Sequence, residues 1–165
     1  MSISSTLPAG ALDDREGFGV RRPARALVLF ESTPSGAAAL REAAELSGAG
    51  GEVTVLTLAP QAVAARCCQR GPGVEVLNCV VRDEAANDLR QAREILGAEG
   101  DRVSFTTLVE TRKLPLAAWA AAQAFDLIVL PSRRLSFGGH PLARRLRRAS
   151  GAEVRLVTAA PGEQL

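Results

Sequence analysis

The sequence predicts an α/β fold: a single-domain, doubly wound sandwich with a mostly parallel five-stranded sheet and helices on both faces. Three observations predict it. Short continuous apolar runs, such as ALVLF at 26–30 and LIVL at 127–130, have the pattern of strands covered on both sides. Between such runs lie segments with apolar residues at helical spacing, opened by proline and closed by glycine. The chain is 47% hydrophobic but only 4% aromatic, and a core of Ala, Leu and Val suits helices packed on a parallel sheet.

The elements follow in order. Ala26–Phe30 is the first strand. Thr33-Pro34 supplies a helix N-cap and a proline at the first helical position, and Leu40, Ala43, Ala44 and Ser47 follow at helical spacing until Gly48, Gly50 and Gly51. Val53–Leu58 is the second strand. A short helix through Ala62–Ala65 and the turn Gly71-Pro72-Gly73 lead into VEVLNCVV (74–81), which reads as an extra strand or an extended crossing. Asp83 then caps a helix running to Leu96, with the stripe Ala85, Leu89, Ala92 and Leu96. Val103–Val109 is a strand, Leu116–Ala124 an Ala-rich helix begun by Pro115, and Leu127–Leu130 a buried strand. A last helix carries the stripe Leu142, Leu146 and Ala149, and Val154–Thr158 closes as a strand. Right-handed crossovers place helices on both faces, and any ligand should sit beyond the carboxyl ends of the strands, near Glu31 and Pro131.

Bulk properties bound the function. At 165 residues and 17.3 kDa the chain is of one-domain length. Residues 1–24 read as a disordered lead without a secretory signal, 25–160 as the α/β domain and 161–165 as a short tail. No run approaches the length of a membrane helix. The net charge of +2 does not argue for nucleic acid, but six of nineteen arginines fall between Arg133 and Arg148. Cys67, Cys68 and Cys79 are odd in number and two are adjacent, which suits a reducing cytoplasm better than a disulfide framework. Together with the lone His140 they have no recognised zinc-ligand spacing, so no metal is expected.

The sequence resembles the universal stress protein family over about residues 25 to 159. The resemblance rests on ALVLFESTPSGAAALREAAEL, on VTVLTL and on AWAAAQAFDLIVLPSR…LARRLRRASGAEVRLVT. The family's first strand commonly ends in an Asp before a small-residue turn, and Glu31-Ser32-Thr33-Pro34 stands there. Its late strand, an acidic residue and four apolar ones, is matched by Asp126-Leu127-Ile128-Val129-Leu130.

Nucleotide-binding members of that family carry G-x2-G-x9-G-[ST] directly after the late strand. Backbone amides must approach triphosphate oxygens closely, and glycine leaves the room and permits the positive φ angles involved. Here Pro131 stands for the first glycine, removing an N–H donor and fixing φ, and Arg134 for the second. Strict counting sets Arg144 and Arg145 at the remaining positions. Keeping the last helix at its usual length sets Gly139-His140 there, which fits a helix start before Pro141.

Arg133 and Arg134 could replace amides by guanidinium contacts to an anion near Gly138 and Gly139, or they could form a solvated basic loop. Glu31 could take the adenine-contacting place or cap the following helix. Ser132 and His140 lie beside the loop, but no G-x-S-x-G elbow accompanies them, so no catalytic residue is expected. Trp119 and Phe125 belong to the core or an interface. Family members commonly dimerise through the last strand. Antiparallel pairing of Glu153, Val154, Arg155, Leu156 and Val157 centred on Val154 would set Glu153 opposite Arg155 of the second chain. Arg144, Arg145, Arg147 and Arg148 could receive an acidic protein partner.

The reading is a cytoplasmic, dimeric, universal-stress-protein-like regulatory or binding module without turnover, with no cofactor. The alternative is an adenine-nucleotide-binding stress protein, an ATP or AMP sensor or weak ATPase, using Glu31, Thr33, Ser132 and the Arg133/Arg134–Gly139 loop. Binding of nucleic acid through the arginines is a third, less favoured option.

Overall fold

The computed structural model describes residues 25–61, 73–132 and 140–159. It contains β1 (Arg25–Leu29), α1 (Pro34–Gly48), β2 (Glu52–Pro60), α2 (Val74–Leu96), a 3-10 turn (Gly97–Arg102), β3 (Val103–Glu110), α3 (Leu116–Gln123), β4 (Leu127–Pro131), α4 (Pro141–Ser150) and β5 (Glu153–Val157). The five strands form one parallel sheet in the order β3-β2-β1-β4-β5. This is the doubly wound sandwich that the sequence predicts.

Period-two alternation divides the core into two layers. Ala26 and Val28 of β1 and Phe30 just after it face α1 and α2, where they meet Ala39, Leu40, Ala43, Ala92 and Leu96. Leu27 and Leu29 face α3 and α4, where they meet Leu116, Ala120, Ala143 and Leu146. Both faces of β1 and β4 are therefore covered, which is why their sequences are apolar without alternation.

The start of α1 follows its sequence signals. Thr33 is extended at the N-cap, its hydroxyl accepts the Gly36 N–H at 3.1 Å, and Pro34 occupies the first turn. His140 caps α4 in the same manner, its Nδ1 accepting the Ala143 N–H at 3.4 Å. His140 and Pro141 thus mark the helix start.

Two expectations are corrected. VEVLNCVV is neither an extra strand nor an extended crossing: it forms the first two turns of the 23-residue α2, capped by Gly73 rather than Asp83, which is an exposed mid-helix residue. β-branched residues carry only a weak preference for strands. Extending an existing helix adds a hydrogen bond per residue without a second nucleation, and Glu75 complements the N-terminal dipole. In α4 the buried positions are Ala143 and Leu146, with Leu142 half-buried, whereas Ala149 is exposed. The helix is rotated slightly from the expected stripe because Ala143 and Leu146 are the positions that reach Ile128, Leu130 and Val154. The short helix expected at Ala62–Ala65, the proposed lead and the 161–165 tail lie outside the described residues.

Candidate functional site

The chain leaves β1 toward β2 and β3 on one face and returns to β4 and β5 on the other, so the order of connection reverses between β1 and β4. Continuing the Val28↔Val129 register by three residues brings Glu31 and Ser132 to the same level, at the carboxyl ends of these two strands. Thr33 and His140 stand at the helix starts that follow. Topology therefore gathers Glu31, Thr33, Ser132 and His140, the described members of the expected set, at one end of the sheet. Arg133, Arg134, Gly138 and Gly139 lie outside the described residues.

Each of the four has a definable role. Glu31 is exposed, and its carbonyl accepts the Thr33 N–H at 2.7 Å. Thr33, with Oγ1 on the Gly36 amide and 3.4 Å from the Ser35 hydroxyl, serves the helix cap. Ser132 is buried, and its N–H donates to the Val157 carbonyl at 2.8 Å, across the sheet. His140 uses Nδ1 as an acceptor, in the role of a helix cap. Pro131 is the last residue of β4, beyond the Ala26–Val28 ladder to β1, so its missing N–H breaks no bond to that strand.

A cavity of about 250 Å³ opens at the ends of β1 and β2, lined by Leu29, Phe30, Glu31, Leu58, Pro60 and Asp88. Its walls are mostly apolar and it carries two carboxylates, neither of which has an ion-pair partner among the described residues. Beside it, the Ser32 hydroxyl donates to the Gln91 side chain, tying the β1 exit to α2. Sequence reasoning found Glu31 but missed Asp88. The available signal was a carboxylate three residues after Ala85 and four before Ala92, on the buried stripe of the helix. Gly36 was missed as well: a Cβ there would lie 1.9 Å from the Glu31 carbonyl oxygen.

β5 is an edge strand. Glu153 donates its N–H to the Asp126 carbonyl and Val157 accepts from Ser132, so odd-numbered residues of β5 bond to β4. The amides of Val154 and Leu156 accordingly point to the open edge. On that edge the Val154 carbonyl accepts the Arg147 guanidinium at 2.8 Å. Arg155 pairs with Glu42 of α1 and, at 3.4 Å, with Glu153 of its own chain. Burial lowers the Arg155 pKa, but attraction to Glu42 and Glu153 and their hydrogen bonds outweigh it and hold the group above its ordinary value. Phe125 is buried and Trp119 half-buried, their rings 5.8 Å apart under the sheet face that carries α3 and α4.

The described arrangement is similar to solved universal stress protein structures. Universal stress protein UspA from Lactobacillus plantarum superposes with a TM-score of 0.62 at 18% identity, over 82% of this chain and 98% of that one. This chain has the universal-stress-protein fold. A universal stress protein family structure from Burkholderia pseudomallei gives a TM-score of 0.59 at 22% identity, over 83% of this chain and 96% of that one. A universal stress protein in complex with cAMP gives 0.58 at 18% identity, over 84% and 99%. No protein-family model matches the chain, and neither does any curated protein sequence. Among the described residues of this universal-stress-protein fold, no helix is long and apolar enough to cross a membrane, and no three His, Cys, Asp or Glu side chains are grouped to hold a metal ion.

Proposed function

We propose that the chain is a regulatory or binding module that acts without turnover and does not seat a nucleoside triphosphate. The exit of β4 carries this reading. Pro131 has no N–H to offer, and the Ser132 N–H is held by Val157. The two positions where an amide cradle would begin therefore present no free donor to a phosphate oxygen. Glu31 and Asp88 add negative charge beside the cavity, which opposes a polyphosphate. With His140 engaged as a helix cap, the chain's single histidine is not positioned to activate a nucleophile. The cysteine usage supports a place in the reducing cytoplasm.

Calorimetric titration with ATP, ADP and AMP tests the reading. The expected result for ATP is no saturable heat tighter than about 100 μM, roughly −5.5 kcal/mol, and tighter saturable binding overturns it. The cavity favours a second reading, in which an adenine mononucleotide places its base between Leu58 and Pro60 with Glu31 as acceptor. The solved complex with cAMP, of the same fold, supports that reading. Saturable heat from AMP or cAMP with none from ATP would favour it, and phosphate release from ATP above a protein-free blank would favour a weak ATPase.

Dimerisation through β5 belongs to the same proposal. The outward amides of Val154 and Leu156 suit antiparallel pairing, though the mate must share or displace Arg147 on the Val154 carbonyl. The intramolecular bonds of Arg155 to Glu42 and Glu153 compete with the expected pair to the second chain. Light scattering at micromolar concentration should return twice the 17.3 kDa chain mass. Leu156→Pro removes an edge donor without touching the β4 ladder, so it should return the single-chain mass with unchanged circular dichroism. A native protein that is already monomeric removes this part of the proposal.

A further inference from the structure

α4 reads PLARRLRRAS, and the rotation of the helix follows from its buried residues. Ala143 and Leu146 enter the core and Leu142 packs half-buried against it, which turns Arg144, Arg145 and Arg148 outward. Arg147 is committed to the Val154 carbonyl. The other three are exposed, and their guanidinium groups have no ion pair or hydrogen bond among the described residues. Spaced at i, i+1 and i+4, they place like charges within about 6 Å of axial rise. Solvated helices more commonly alternate sign, as α2 does with Arg82, Asp83, Glu84, Asp88, Arg90, Arg93 and Glu94. α4 carries one sign alone.

The surroundings narrow the partner. α3, packed beside α4, has no charged residue and offers the half-buried Trp119. Leu156, 40% exposed, shares the Val154 side of β5 and so the same face of the sheet. Arginines beside a part-exposed Trp match the composition of a protein-binding surface. A nucleic-acid track is a poorer match. The ten-residue helix is about 15 Å long and its three outward guanidiniums reach about three phosphates, fewer than the roughly 6–10 contacts of a protein whose affinity is dominated by phosphate neutralisation. The aromatic side chain at hand is packed on Phe125 and does not form an open stacking platform.

We propose that the outer face of α4, through Arg144, Arg145 and Arg148, docks an acidic polypeptide segment. Carboxylates three or four residues apart on a partner helix match the one-turn separation of Arg144 and Arg148, and each guanidinium can hold a carboxylate bidentately. No residue of α4 lines the cavity at the strand ends, so the test reads a surface other than that cavity.

Fluorescence anisotropy of the full chain, with a labelled glutamate-rich helical peptide and with oligothymidylate of equal charge, tests the proposal. The peptide should bind saturably and more tightly than the oligonucleotide. Arg144→Glu with Arg145→Glu and Arg148→Glu should weaken it at least about tenfold. Arg112→Glu with Lys113→Glu, on the exposed loop after β3, should leave it unchanged. If the triple glutamate variant does not fold, the triple glutamine variant removes the same charge without reversing it. Absence of saturable peptide binding, equal or tighter oligonucleotide binding, or native-like peptide binding by a folded triple variant each overturns the proposal.

Discussion

Gly36→Ala should destabilise the protein by about 3 kcal/mol, the upper part of the range for overpacking a tight site. Gly36 sits in the first turn of α1, where the helix crosses the backbone leaving β1. An added Cβ would meet the Glu31 carbonyl oxygen at 1.9 Å and the Glu31 carbonyl carbon at 3.0 Å. Those are main-chain atoms, so no rotamer change relieves the clash. The helix would have to lift from the sheet, breaking the Thr33–Gly36 cap and disturbing Ala39, Leu40 and Ala43 in the core. At Gly48, in the last turn of the same helix, an added Cβ would meet nothing within 4 Å, and φ is not positive. Gly48→Ala should therefore be neutral or stabilise by about 0.5–1 kcal/mol. Urea unfolding followed by circular dichroism reads both. Equal midpoints for the two variants would refute the close-approach explanation.

Phe30→Ala should cost about 3–5 kcal/mol. Phe30 is 1% exposed, the last apolar side chain of its run to point toward α1 and α2, and it forms part of the cavity wall. Its backbone N–H donates to the Leu56 carbonyl at 2.9 Å, so truncation removes packing while leaving that bond available. The lost contacts and the void left behind add, because the main chain there is held to β2 by the Leu56 bond and relaxes little. Val76→Ala, at an apolar position 56% exposed, should change stability by less than about 0.5 kcal/mol. A comparable loss at both positions would mean that the first turns of α2 are covered in solution.

How far the sequence could be read depended on how local the cause was. Strands β1 and β4 are legible because burial on both faces leaves a continuous apolar run, and α1 because Thr33-Pro34 is a complete local start signal. VEVLNCVV misleads because its β-branched residues suggest a strand, whereas its conformation is inherited from the helix that continues through Leu96. Glu31 could be placed at the ligand end by strand counting alone. Asp88 could not, since its approach to the cavity depends on how α2 lies across the ends of β1 and β2.

Hydrophobic pattern, cap residues and the order of elements, all written along the chain, by themselves determined the layered α/β architecture and the loss of glycine at the β4 exit. Tertiary structure alone decided that Gly36 must lack a side chain, that the Ser132 amide is engaged by Val157 and that Arg147 covers the edge of β5. The physical reason is relative placement. Patterns and caps act within one element, but these three contacts join atoms on either side of an element boundary, which meet only once the elements have packed.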